Sequence, residues 1–163
     1  MPELSNKDAC QLLDADHIAV KHLFVDYACL AISQDAEVTQ PARTQLAMKI
    51  CDELTVHAQI EEEIFYPALR EVLAKDEDLV DEATAEHQEA KQLIADIRNL
   101  GTANPAMDTL MAELNVAIEH HVKEERDELF PKAKAAPELD LLLLGEQLRN
   151  RQAELQTELA HAK

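Results

Sequence analysis

Two stretches of this chain occur twice, in the same order, and that internal repeat restricts the fold more than any other feature. Asp16 to Tyr27 (DHIAVKHLFVDY) aligns with Glu86 to Ile97 (EHQEAKQLIADI) at an offset of 70 residues. His57 to Pro67 (HAQIEEEIFYP) aligns with His121 to Pro131 (HVKEERDELFP) at an offset of 64. Each half supplies one lone histidine, then a His-x-x-x-Glu, then a proline ten residues beyond that second histidine. Two like halves of this kind predict two helical hairpins related by a pseudo-two-fold axis.

Apolar residues recur at helical spacing in four long segments, about Lys7 to Ser33, Pro41 to Leu73, Leu79 to Leu100 and Pro105 to Phe130. Pro41 and Pro105 read as first helical residues, Asn104 as an N-cap and Gly101 as a C-terminal stop. Only two glycines occur and aromatics make up 3%, which excludes turn-rich β architectures. The expected fold is all-α, an up-down-up-down four-helix bundle over residues 1–135. Residues 136–163 form a helical tail, with leucines at 141, 148 and 155, that packs on the bundle or at a dimer contact. Gly145 argues against a continuous helix there.

Fifteen basic residues against 33 acidic ones give a net charge of −18, which repels phosphate backbones and anionic lipid. The opening MPELSNKDACQLLDADH has no apolar core of signal-peptide length, and no run reaches membrane-spanning length. Cys10, Cys29 and Cys51 are odd in number and lack metal-type spacing, as expected for reduced thiols in the cytoplasm.

The histidines and glutamates of the repeat interrupt the stripes that must face the core. His17 lies on the row of Leu13, Val20 and Phe24, and His87 on that of Val80, Ala83, Ala90 and Ile94. His57 and Glu61 break the row Ile50, Leu54, Ile64, while His121 and Glu125 break Leu110, Leu114, Leu129. Residues four apart on a helix face the same way, so each His-x-x-x-Glu aims at one point. Any one buried histidine is more often hydrogen-bonded core than ligand, and any one such pair is common on solvated faces. The joint, ordered pattern differs, because unpaired carboxylates inside a bundle cost several kcal/mol each and no Lys or Arg lies on these rows. Two metal cations held by His17, His57, Glu61, His87, His121 and Glu125 would offset that cost. Such borderline ligands favour iron, with manganese and zinc as the other candidates. The pair of Glu-x-x-His motifs of ferritin-like centres is not found, the single such spacing being Glu158 to His161 in the tail.

The outlying groups read differently. His22, His120 and His161 are expected at the surface, and Glu62, Glu63, Glu124 and Glu128 on acidic solvated faces, with Glu128 close enough to the stripe to be a candidate neighbour of the ligands. Pro67 and Pro131 are expected to kink or end their helices just past the site.

Asp16-His17, His57-x-x-x-Glu61 before Phe65-Tyr66-Pro67, Glu86-His87, and His121-x-x-x-Glu125 before Leu129-Phe130-Pro131 together resemble a hemerythrin-like (HHE cation-binding) domain of the bacterial stand-alone type. The leucine-bearing tail is similar to the segment that often follows this bundle. The resemblance implies a carboxylate-bridged di-iron centre, oxo- or hydroxo-bridged, with His17 and His57 on one iron and His87 and His121 on the other. Glu61 and Glu125 would bridge. Oxygen-carrying members have a fifth histidine four residues from the third-helix ligand, where this chain has Ala83 and Lys91. They also end on an Asp five residues after its histidine, rather than Glu125. Both departures argue against reversible oxygen carriage and are similar to the iron-responsive members.

Three functions follow. The first is a non-enzymatic di-iron protein that senses or handles iron, dioxygen or nitric oxide, since no nucleophile, general base or substrate pocket is legible. The second is an enzyme activating dioxygen, peroxide or nitric oxide at the same centre. The third is a metal-stapled interaction module, with a second copy of the chain among its candidate partners.

Overall fold

Residues 7–162 are described by a computed structural model of the chain; residues 1–6, part of the opening stretch considered above, lie outside it. Helix α1 covers Ala9–Ala31 and α2 covers Ala36–Ile60. A wide π turn at Glu61–Phe65 leads into α3, Tyr66–Val72. Helix α4 covers Glu77–Leu100 and α5 Pro105–Glu124. A second π turn at Glu125–Leu129 leads into α6, Phe130–Ala135, and α7 covers Leu141–Ala162. The described residues contain no strand, so the all-α bundle with a further C-terminal helix is the observed architecture. No described helix is long and apolar enough to cross a membrane.

Local chemistry accounts for most boundaries. Asp8 and Gln11 form a reciprocal capping box at the start of α1. Asn104 accepts from the Met107 amide at 2.8 Å, with Pro105 as the first residue of α5. Gly101 closes α4 with φ of 72°, a conformation that only glycine takes without strain.

One boundary departs from expectation. Helix α2 begins five residues before Pro41, at Ala36, so that proline lies inside the first two turns. A buried Arg43 accounts for this. Its Nη2 donates to the Ala36 carbonyl at 2.9 Å, its Nε to Thr39 Oγ1 at 3.0 Å and its Nη1 to Asp108 Oδ1 at 2.7 Å. These bonds hold the first turns together where the proline removes a donor.

Two apolar clusters fill the bundle. One contains Leu13, Ile60, Phe65, Leu69, Val80, Phe130 and Leu148, the other Val20, Phe24, Ile50, Ile94, Met107 and Leu114. His17 on α1 and His87 on α4 fall between the two clusters in sequence. Helix α7 lies against α1 and α2 and is continuous through Gly145. That glycine sits so close to the start of α1 that a Cβ would collide with the Lys7 carbonyl oxygen. Its presence reflects close approach of two backbones rather than a break.

Candidate metal centre

Four imidazoles from α1, α2, α4 and α5 and two carboxylates from the π turns that follow α2 and α5 meet in the middle of the bundle. His17, His57, His87 and His121 are all buried, and Glu61 and Glu125 are 0% exposed. His17 Nε2 lies 3.1 Å from His57 Nε2, and His87 Nε2 lies 3.2 Å from His121 Nε2. Glu61 Oε1 is 3.2 Å from His57 Nε2, 3.1 Å from His87 Nε2 and 3.8 Å from His121 Nε2. Glu125 Oε1 is 3.1 Å from His17 Nε2 and 3.4 Å from His121 Nε2.

The other nitrogen of each ring faces a carboxylate. His17 Nδ1 meets Asp14 Oδ1 at 3.3 Å, His57 Nδ1 meets Asp16 Oδ2 at 3.1 Å, His87 Nδ1 meets Glu62 Oε2 at 3.0 Å, and His121 Nδ1 meets Glu86 Oε1 at 2.8 Å. A ring that donates from Nδ1 presents a lone pair at Nε2 when neutral. Carboxylate partners of this kind fix the tautomer and raise the basicity of metal-binding imidazoles.

Both glutamates sit on the first residue of a π turn. The Tyr66 amide donates back to the Glu61 carbonyl, and the Phe130 amide to the Glu125 carbonyl, each one residue wider than an α turn. The expected kink at Pro67 and Pro131 takes this form. Each helix absorbs the proline through one extra residue and continues, to Val72 and Ala135.

Lone pairs converging this closely need protons or metal ions between them. Burial opposes the imidazolium at His57, but the Glu61 and Asp16 carboxylates outweigh it and raise the pKa to about 10. At His121 burial is again outweighed, by Glu125, Glu61 and Glu86, and the pKa rises to about 12. Burial likewise opposes ionisation of Glu61, yet His57 and its other neighbours hold it well below the usual carboxylate range. Glu61 Oε2 and Glu125 Oε1 are buried without a hydrogen bond of good geometry, although His17 Nε2 lies 3.1 Å from Glu125 Oε1. The donor set divides into two groups able to hold an ion, His17, His57, Glu61 and Glu125, and Glu61, His87 and His121. Carboxylate oxygens left without a well-formed hydrogen bond, beside imidazole lone pairs, fit metal cations.

The profile of the hemerythrin HHE cation-binding domain matches residues 8–133. The chain belongs to that family. Among solved structures, a hemerythrin HHE cation-binding domain-containing protein from Mycobacterium kansasii, an Rv2633c homolog, is similar in fold. Its TM-score is 0.74 at 22% identity, covering 95% of this chain and 91% of the other. No curated protein matches the chain.

This HHE domain brings all six expected residues together, and it adds a seventh group. Tyr66 Oη donates to Glu125 Oε2 at 3.0 Å and lies 3.3 Å from both His87 Nε2 and His121 Nε2. Burial and the two glutamates push its phenol well above the usual tyrosine range, so it stays protonated. The signal for it was one mismatch in the repeat, Tyr66 opposite Phe130.

Among the outer residues, Glu62 differs from expectation. Glu62 does not form a solvated face, since its carboxylate is divided between His87 and Lys91 Nζ, the latter at 2.7 Å. Glu128 is exposed and makes no part of the site. His22, His120 and His161 are exposed, with His120 Nε2 lying 3.2 Å from Glu86 and 3.1 Å from Glu124.

Proposed function

We propose that this HHE domain is a non-enzymatic di-iron protein that handles or senses iron, dioxygen or nitric oxide. His17 and His57 would hold one ion, His87 and His121 the other, and Glu61 and Glu125 both. The observation that carries this reading is the pair of buried carboxylate oxygens without a well-formed hydrogen bond among four Nε2 atoms, each of whose partner nitrogens faces a carboxylate. When bound, a pair of iron ions supplies one-electron redox change and coordination of small ligands. Nitrogen and carboxylate donors without thiolate support iron over a closed structural zinc site, with manganese the nearest competitor. The chain's own part is to keep the four rings in one tautomer and to hold a proton at Tyr66 Oη. Metal analysis of aerobic protein, with its near-ultraviolet spectrum, tests the reading. About two irons per chain with ferric charge-transfer absorption supports it, and less than about one metal per chain refutes it.

Tyr66 favours a second reading, an enzyme acting on dioxygen, peroxide or nitric oxide. A protonated phenol within hydrogen-bond reach of the carboxylate and two imidazoles is placed to donate to a bound oxygen atom. This reading requires steady consumption of one of those molecules that is lost in Glu61→Ala and slowed in Tyr66→Phe.

A further inference from the structure

The imidazole side of the centre opens into a cavity of about 250 Å³. The four histidines form one end of it, and Val20, Leu54, Ala90, Ile94 and Ile118 line its walls. Its mouth lies between α2 and α4, where Ala58 and the exposed Ala95 and Arg98 line the rim beside Lys91. Alanines at 58, 90 and 95 leave space where larger apolar residues would close the seam.

Size and polarity restrict what this space can hold. A water molecule takes about 30 Å³ of liquid, and an apolar cavity of about 150 Å³ accepts benzene and stays dry otherwise. A diatomic gas therefore occupies a small fraction of the volume, and an empty cavity of this size is destabilising. The exposed lining is overwhelmingly apolar, and the polar neighbours Thr55 and Asp16 are already bonded, Thr55 to Cys51 and Arg98, Asp16 to His57 and Gln152. Both cations at the rim already have partners, Lys91 on Glu62 and Arg98 on Asp52 Oδ1 at 2.9 Å and Thr55 Oγ1 at 3.3 Å. They nonetheless disfavour a cationic guest, while the net charge of −18 disfavours an anionic one.

We propose that this cavity binds a neutral, apolar small molecule of roughly ten carbon atoms against the imidazoles of the centre. The proposal rests on the metal reading for what the guest lies beside, and on side-chain packing alone for the space. Naphthalene is the probe, because the chain has no tryptophan and its fluorescence is read without an indole background. Titrated into iron-loaded protein, naphthalene is expected to bind saturably at one site per chain. Ala58→Leu, which fills the rim, should weaken binding about tenfold while helix content and metal content are kept. Ala95→Leu, at an exposed position, does the same should the first variant fail to fold. Decanoate and decyltrimethylammonium should each bind about tenfold more weakly than naphthalene.

Non-saturable uptake, binding unaltered by both fillings, or equal binding of the charged probes overturns the proposal. An iron-loaded chain that refuses naphthalene removes the cavity's guest and leaves the metal reading intact. A chain that binds naphthalene but holds no metal does the reverse.

Discussion

The two halves of the centre differ more in their surroundings than in their ligands. His17 and His57 on one side, and His87 and His121 on the other, each pair their Nε2 atoms at close to 3 Å, at 3.1 and 3.2 Å. The pseudo-two-fold axis also relates two aromatic rings. Phe130 stacks on His17 with centroids 6.0 Å apart, and Tyr66 packs on His87 at 5.3 Å. Only the second ring carries a hydroxyl, so the His87–His121 half has a proton donor and the His17–His57 half has none. The outer partners diverge as well. Asp14 is held by Arg126 and Asp16 by Gln152, whereas Glu62 is held by Lys91 and Glu86 lies against His120. Matching ligands thus sit in unlike fields, and symmetry of the donor set does not make the two positions chemically equal.

Glu61 is the one carboxylate common to both groups of donors, so Glu61→Ala should abolish the comparison altogether. Metal content of that variant, measured by atomic emission, is expected to fall from about two per chain to below one. Changing an outer partner should act on one half only. Asp16→Asn is expected to weaken metal binding by about 10–100-fold at the His57 side, and Glu62→Gln by a similar factor at the His87 side. Competition with a chelator should then show one weak and one unchanged site in each variant; two weakened sites would mean the halves are coupled.

Exchanging the aromatic pair sharpens the contrast. Tyr66→Phe removes the donor to Glu125 Oε2 and should cost about 1–3 kcal/mol of stability in the metal-free protein, read from chemical denaturation. Phe130→Tyr should move the hydroxyl to the His17 side and shift the optical spectrum of the loaded protein in a different sense from Tyr66→Phe.

Protons and metal compete for the same nitrogens. In the metal-free protein, His57 and His121 are raised from 6.5 to about 10 and about 12. Groups raised in this way contribute stability that is fully present below the unfolded value and lost as pH rises through the folded one. Melting of the metal-free chain should therefore weaken between pH 7 and 10, while metal binding, which displaces those protons, should strengthen over the same range. A melting temperature flat across that interval would show that the two histidines hold no extra protons. The smallest effect is expected from Gln152→Ala, a loss of about 1 kcal/mol or less that lowers affinity slightly at the His57 side alone.

Much of this arrangement is legible in the sequence because buried polar residues are conspicuous on apolar rows. His17 between Leu13 and Val20, and His121 with Glu125 between Leu114 and Leu129, have no role in a purely apolar core. The helix ends at Asn104, Gly101 and Pro105 follow from cap chemistry that acts within a few residues. What escaped was set by partners distant in the chain. The early start of α2 depends on Arg43 reaching Asp108 on another helix, and the role of Glu62 depends on His87. Neither contact leaves a local periodicity. Tyr66 enters the sequence reading only within the Phe65-Tyr66-Pro67 motif, and its position opposite two imidazoles is what turns the hydroxyl into part of the site. Gly145 read as a break because a single sequence does not show that another backbone passes beside it.

The docking of α7 has a consequence for the two halves of the centre. Helix α7 rests on the start of α1 at Gly145 and reaches Asp16 through Gln152, whose amide is 2.9 Å from the oxygen that orients His57. The contact spans 136 residues, from Asp16 to Gln152, so the surroundings of the His57 half draw on both ends of the bundle sequence. The contacts described for the His87 half, by contrast, run no further along the chain than Glu125, through Tyr66. One half of the centre is therefore tied to the C-terminal helix and the other is not, so loosening α7 would disturb the His57 side first.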